Sequence, residues 1–202
     1  MPLLPLFDSG ETVLADDAMG RIVYTPEFVT APVAQVWFAE LRDAVQWKAE
    51  RRQMYDREVD VPRLTGHFRL SPEEPGVPGA ILQAAKRVID QTGVPFNSVG
   101  LNRYRDGRDS VAPHNDHLDV LVEGHPIALL SLGSPRRMTI RAKEPPKRVL
   151  HVDLAPGSLL MMSYETQLHY THGIPKTKEP VGERISLAFR VKPAAGESDP
   201  YR

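Results

Sequence analysis

Hydrophobic positions along the chain change period near residue 96. Before it, Val33, Val36, Trp37, Phe38, Leu41 and Val45 recur at helical spacing behind Thr30, a candidate N-cap, with Pro32 in the first turn. A second helical stripe, Ile81, Leu82, Ala85, Val88 and Ile89, starts near Pro78 and stops at Gly93. Beyond residue 96 the apolar positions alternate or run short, and the segments 98–105, 127–132, 138–142, 148–152, 158–163 and 184–191 each read as a strand. Strands at this density imply a two-sheet roll or barrel, so the chain is expected to be mainly β (α+β), with its two helices as scaffolding.

The remaining segments fill in the organisation. Residues 1–20 read as an irregular arm and Arg21 to Tyr24 as a short edge strand ahead of Pro26. Trp47 to Leu70 carries Lys48, Arg51, Arg52, Tyr55, Arg57, Arg63, His67 and Phe68 with little periodicity, which predicts a mobile surface segment able to act as a lid. No repeat or composition break divides the chain. One domain is expected over 1–202: arm, helices and lid over 1–95, a β core over 96–192, and a tail over 193–202.

Composition narrows the chemistry. The 202 residues, 41% hydrophobic and 25% charged, suit a soluble globular domain, expected to be monomeric. With no cysteine there is no disulfide framework and no thiolate site, so any metal must be held by histidine and carboxylate. No stretch reaches the roughly 18 apolar residues of a membrane helix, and the start, Met1-Pro-Leu-Leu-Pro-Leu-Phe-Asp8, has no basic leader; a cytoplasmic protein without a membrane partner is expected. A formal charge of −1 excludes a globally basic nucleic-acid coat. It leaves a local patch at Arg136, Arg137, Arg141, Lys143, Lys147 and Arg148, which reads equally as a solvated hairpin rim.

His114-Asn-Asp116 places two metal ligands at short spacing, and two histidines with one carboxylate is the facial arrangement of non-haem Fe(II) oxygenases. Among the seven histidines, His172 is a candidate third ligand; spacing alone leaves His117, His151 and His169 open. In the last strand Arg184, Ser186, Ala188 and Arg190 share one face, and Ile185, Leu187, Phe189 and Val191 the other. If the arginine face is interior, burying an unpaired charge costs several kcal/mol, and a bidentate carboxylate partner offsets much of it. Six strand residues rise roughly 20 Å, longer than a five-carbon diacid, so one direct arginine clamp is expected rather than two. Upstream, Asn102 and Tyr104 point to one side of their strand and can share a ligand.

Asn102-x-Tyr104-x-Asp-Gly107, His114-x-Asp116, Ser158-Leu-Leu-Met-Met162, His172-Gly-Ile-Pro175 and Arg184-x-Ser-Leu-Ala-Phe-Arg190, taken in order over residues 96–192, resemble the AlkB family of Fe(II)- and 2-oxoglutarate-dependent dioxygenases. The resemblance implies a double-stranded β-helix (jelly-roll) core and a catalytic iron on His114, Asp116 and His172. It also implies that 2-oxoglutarate is held by Asn102, Tyr104, Arg184, Ser186 and Arg190, with O2 as co-substrate. It selects His172 over His169 through the distance to Arg184. The implied activity is oxidative demethylation of N-alkylated bases in DNA or RNA, single-stranded or with the base flipped out, releasing formaldehyde, succinate and CO2. Val61-Pro-Arg-Leu64 resembles the family's pre-core segment. Substrate contacts are accordingly expected from Arg63, His67, Phe68 and His117. The family's Arg-x-Asn-Leu-Thr-Phe-Arg strand is here Arg-x-Ser-Leu-Ala-Phe-Arg, which keeps one side-chain hydrogen bond at Ser186 and none at Ala188. The alternatives are the same chemistry on a protein or small molecule, suggested by His117 and Leu118 where repair members carry acids, and a non-catalytic β-roll binding module.

Overall fold

A computed structural model describes residues 10–54, 57–71 and 74–193. The start of the expected arm, Tyr55 of the expected lid and nearly all of the expected tail lie outside these residues. Twelve strands and three helices run in the order β1(Thr12–Asp17), β2(Gly20–Thr25), α1(Ala31–Ala44), β3(Lys48–Met54), β4(Arg57–Arg69), α2(Gly79–Thr92), β5(Ser98–Tyr104), β6(Val111–His114), β7(Ile127–Gly133), β8(Arg136–Ala142), β9(Val149–Leu154), β10(Leu159–Met162), α3(Glu165–His169), β11(Tyr170–Ile174) and β12(Arg184–Arg190). They build an antiparallel jelly roll of two sheets, one of eight strands in the order β1-β2-β10-β7-β12-β5-β4-β3 and one of four in the order β6-β11-β8-β9.

Alternation along the central strands of the large sheet divides its faces. Ile185, Leu187 and Phe189 on β12, Ala128, Leu130 and Leu132 on β7, and Val99 and Leu101 on β5 form one core with Trp37 and Leu41 of α1 and Ile81 and Val88 of α2. Leu41, Ile81 and Val88 retain no exposed surface; each contributes roughly 1.5–3 kcal/mol. The opposite phase of the same strands, with Tyr104, Leu129 and Ala188, packs on Ile140 and Tyr170 of the small sheet. The arginine face of β12 is therefore the interior one.

Several expectations change. The arm expected over 1–20 contains β1, which pairs with β2 across the turn before Gly20. Val33 and Val36, assigned by periodicity to the α1 core face, and Leu82 on α2 are exposed; small Ala34, Ala80 and Ala84 take the buried places because the helices approach the sheet closely. Thr30 occupies the N-cap position without capping through its side chain, whereas Gly93 ends α2 in the left-handed region (φ 69°) as expected. The segment expected to act as a lid, read without regular structure, forms the hairpin β3–β4, hydrogen-bonded to β5 and extending the large sheet. β6 and β11, which carry the candidate histidines, give no strand signal in the sequence: they are short, and Pro113 and Gly173 interrupt them where the equally short β10 is a continuous apolar run.

Candidate active site

Strand pairing brings His114 and His172 together. They are direct register partners across β6 and β11, with ring centroids 4.5 Å apart. Gly173 permits the close approach, since a Cβ there would stand 2.8 Å from the Val111 carbonyl oxygen. His114 Nδ1 lies 3.0 Å from the Ala112 carbonyl, which can only accept; the proton is therefore on Nδ1 and Nε2 is free to ligate. Burial pushes the His172 imidazole down to about 3, with His114 adding to the effect, so it is held in its neutral, ligating form.

Asp116 completes the group. Ligating atoms of His114, Asp116 and His172 lie within 4.8 Å of one another, and among the described residues these three alone form such a cluster. Burial alone would raise the Asp116 carboxyl, but the Arg190 guanidinium holds it below the usual carboxylate range, donating from Nε to Oδ2 at 2.5 Å. Two imidazoles and one carboxylate on adjacent segments fit a hard-to-borderline divalent metal with positions left for other ligands. His169, His151 and His117 are outside the group: His169 ends α3, His151 faces Thr139 from β9, and His117 lies at the mouth of the cleft.

A second polar group lies deeper between the sheets. Arg184 is 1% exposed, and its Nη2 donates to Ser131 Oγ at 2.9 Å while Nε and Nη1 are buried without a partner. Its guanidinium stands 5.2 Å from the Tyr104 ring. An interior cation that keeps two donors free is costly for the bare chain, and a carboxylate is the group that offsets the cost. Ser186 is the register partner of both Asn102 and Ser131, so β5, β12 and β7 place these three polar residues side by side. The two arginines of β12 are engaged differently: Arg184 keeps Nε and Nη1 without a partner, whereas Arg190 donates to the Asp116 carboxylate.

A cleft of about 650 Å³ opens above the metal group, within the range of small-ligand sites. Arg63, Arg141, Lys176, Arg190 and Lys192 line it, and Asp116 is the one acid among its lining residues. Of the expected substrate contacts, Arg63 and His117 line the cleft, with Arg63 Nε held by Asn102 Oδ1 at 2.7 Å. His67 and Phe68 do not. His67 sits farther along β4 against Ser98, and Phe68, in the opposite phase of the strand, packs on the helix-side core.

The expected basic patch also divides. Arg137 pairs with Asp153, Arg148 with Asp17, Lys143 donates to the Gln167 carbonyl and Lys147 to the Lys143 carbonyl, leaving Arg141 turned to the cleft. Arg136 is not on the surface: it is 3% exposed and spans three backbone carbonyls. Ser131, Arg136 and Gln167 were not singled out for the site. Ser131 was visible in the sequence as the one polar residue inside an apolar strand, whereas Arg136 lay hidden in a run of cations and Gln167 gave no signal.

Known proteins agree with this geometry. The family profile described as the 2OG-Fe(II) oxygenase superfamily matches residues 21–190. The DNA oxidative demethylase ALKBH2 of Homo sapiens is 34% identical over 189 residues, covering 83% of this chain and 71% of that protein. The alpha-ketoglutarate-dependent dioxygenase alkB homolog 3 of Homo sapiens is 30% identical over 197 residues, covering 89% and 69%. The crystal structure of a Pseudomonas putida prolyl-4-hydroxylase shares the fold at a TM-score of 0.56 and 16% identity, covering 85% of this chain and 93% of that one. With the His-Asp-His cluster and the buried arginine in place, the chain belongs to the AlkB family of 2-oxoglutarate- and Fe(II)-dependent dioxygenases.

Proposed function

We propose that this enzyme oxidatively removes alkyl groups from N-alkylated bases of DNA or RNA, releasing formaldehyde, succinate and CO2. The observation that carries the reading is the cation-lined cleft directly above the metal group, in a chain whose overall charge is −1. Such a concentration of positive charge suits a polyanionic strand, and relatives named as DNA oxidative demethylases support it. A base inside a duplex cannot reach the metal, so the substrate is a single strand or an extruded base.

In this reading His114, Asp116 and His172 hold Fe(II). Arg184, assisted by Ser131, would hold a carboxylate of 2-oxoglutarate, and Asn102, Tyr104, Ser186 and Arg190 would complete its site. Bound iron and 2-oxoglutarate together supply the oxidising chemistry: O2 is consumed as the keto acid loses CO2 to become succinate and an N-alkyl carbon gains a hydroxyl. The hydroxymethyl group of an N-methyl substrate then leaves as formaldehyde, returning hydrogen to the base nitrogen. The chain's own groups orient and neutralise. Arg184 supplies fixed positive charge from a buried position, Arg190 keeps Asp116 ionised, and burial keeps His172 neutral.

The test is formaldehyde release from N-methylated oligonucleotides, single-stranded and duplex, with iron and 2-oxoglutarate. Release is expected from single strands and more slowly from duplexes. Succinate formation without turnover of any N-alkylated base in either form would overturn the substrate assignment while leaving the dioxygenase intact.

A further inference from the structure

The three candidate ligands are not held alike. His114 and His172 are fixed by the β6–β11 ladder, in direct register. Asp116 lies two residues beyond the end of β6, where no ladder reaches it. Three side chains hold it instead: Arg190 Nε donates to its carboxylate, Asn115 Nδ2 donates to its carbonyl at 3.1 Å, and its own N–H donates to Gln167 Oε1 at 3.0 Å.

Gln167 differs from the other two in what anchors it. It is 1% exposed, and its Nε2 donates to Thr166 Oγ1 at 2.9 Å, whose hydroxyl donates to the Ser163 carbonyl at 2.6 Å. Lys143 Nζ donates to the Gln167 carbonyl at 2.9 Å. α3 is in turn pressed onto β2. A Cβ on Gly20 would stand 2.7 Å from Thr166 Cγ2, and Ser163 N donates to the Arg21 carbonyl at 2.9 Å. α3 runs directly into β11, which carries His172. One side chain thus ties the unladdered ligand to the segment that bears a laddered one.

We propose that Gln167 is a positioning residue for the metal centre, fixing the Asp116 backbone so that its carboxylate is presented to the metal as well as to Arg190. Without the Gln167 acceptor, the Asp116 N–H is buried and unpaired, the backbone is free to turn, and the carboxylate is left to Arg190 alone. Side chains that orient metal ligands from behind typically change metal affinity by about 10–100-fold. The inference rests on the dioxygenase metal centre and is independent of the substrate.

The experiment measures Mn(II) affinity of the full chain by electron paramagnetic resonance, without substrate, beside the melting temperature of the metal-free protein. Gln167→Met, close in shape but without an acceptor, is expected to weaken Mn(II) binding about 10–100-fold. With Fe(II) saturating, kcat of the Met variant should recover towards the wild-type value while KM for 2-oxoglutarate is unchanged. A purely structural glutamine would lower the melting temperature and leave Mn(II) affinity alone; that result in a folded Met variant overturns the proposal. Should Gln167→Met not fold, Thr166→Val, which removes the anchor of Gln167, carries the test: weaker Mn(II) binding supports the role and unchanged binding overturns it. Wild-type protein that binds no Mn(II) overturns the metal centre itself.

Discussion

Two arginines flank one tyrosine in the interior, and they have opposite relations to the chain. Arg184 and Arg136 stand 5.2 and 5.6 Å from the Tyr104 ring and are 1% and 3% exposed. Burial lowers the pKa of both. Around Arg136 the fold supplies three backbone carbonyls: Nη1 donates to that of Asp106 at 3.0 Å, and Nη2 to those of Asp109 and Pro175 at 2.9 and 2.8 Å. This clasp joins the turn after β5 to the segment after β11, where Thr177 N also bonds the Gly107 carbonyl. Around Arg184 the fold supplies the Ser131 hydroxyl and the Tyr104 side chain, and leaves Nε and Nη1 buried without a hydrogen bond. The contrast separates a structural cation from a ligand-binding one: the first is satisfied by backbone, the second keeps donors in reserve for something that arrives later.

The largest effect that can break this comparison is on 2-oxoglutarate binding. Truncating one partner of a buried charge pair costs about 2–5 kcal/mol, so Arg184→Met is expected to weaken 2-oxoglutarate binding by at least about 30-fold and on the order of 100-fold. The ligand-free protein should lose no stability, because an under-satisfied buried charge has been replaced by an apolar chain of similar length. Titration calorimetry and the thermal shift produced by 2-oxoglutarate, which grows with ligand concentration over Kd, measure both halves. Arg136→Met should do the reverse. Three carbonyls lose their donor, destabilising the ligand-free fold by about 2–3 kcal/mol, with 2-oxoglutarate affinity retained in the folded fraction. Equal destabilisation by the two substitutions would erase the distinction.

The same contrast explains what the sequence could tell. Arg184 was legible because strand alternation put it opposite Ile185, Leu187 and Phe189, and only the side of the strand that is interior was undecided. Helix packing decides it: the apolar phase meets α1 and α2, which turns the arginines inward. Asn102, Tyr104, His114 and Asp116 were legible as motif members, since short spacing survives without knowledge of the fold. Arg136 was not. Its cation count matched a hairpin rim, and its burial depends on carbonyls from two segments about 30 and 39 residues away in the chain, which no local pattern encodes. The β3–β4 hairpin was lost for a related reason: its alternation is diluted by charges on both faces of a strand near the sheet edge.

A smaller effect sharpens the comparison at the hydroxyl the fold gives to Arg184. Ser131 Oγ accepts from Nη2 in a fully buried setting, so Ser131→Ala adds one more free donor. The expected change is about 1 kcal/mol, read as a roughly fivefold weaker 2-oxoglutarate affinity, against the hundredfold of Arg184→Met. If Ser131→Ala matched the arginine truncation, the hydroxyl would be a ligand contact in its own right.

The smallest effect concerns a histidine at the sheet surface on which partial burial and nearby cations act together. His67 shares its strand face with Arg63, accepts or donates at Ser98 Oγ 3.0 Å away, and is held down to about 4 by burial and then by Lys192, Arg190 and Arg69. The unfolded chain takes up this proton near 6.5, whereas the folded chain resists until about 4. Between those values the unfolded state binds more protons, so stability falls as pH drops from 6.5 towards 4 and is unaffected above that window. Because the side chain is partly open to solvent, the full penalty is screened to about 1 kcal/mol. His67→Gln, which keeps a hydrogen-bonding amide at Ser98, should flatten the stability curve across that window and leave it unchanged at pH 8, as urea titrations at stepped pH would show. An unaltered slope would mean that the cations lining this face are already neutralised by the chain, at His67 as they are at Arg136, and that Arg184 alone stands apart.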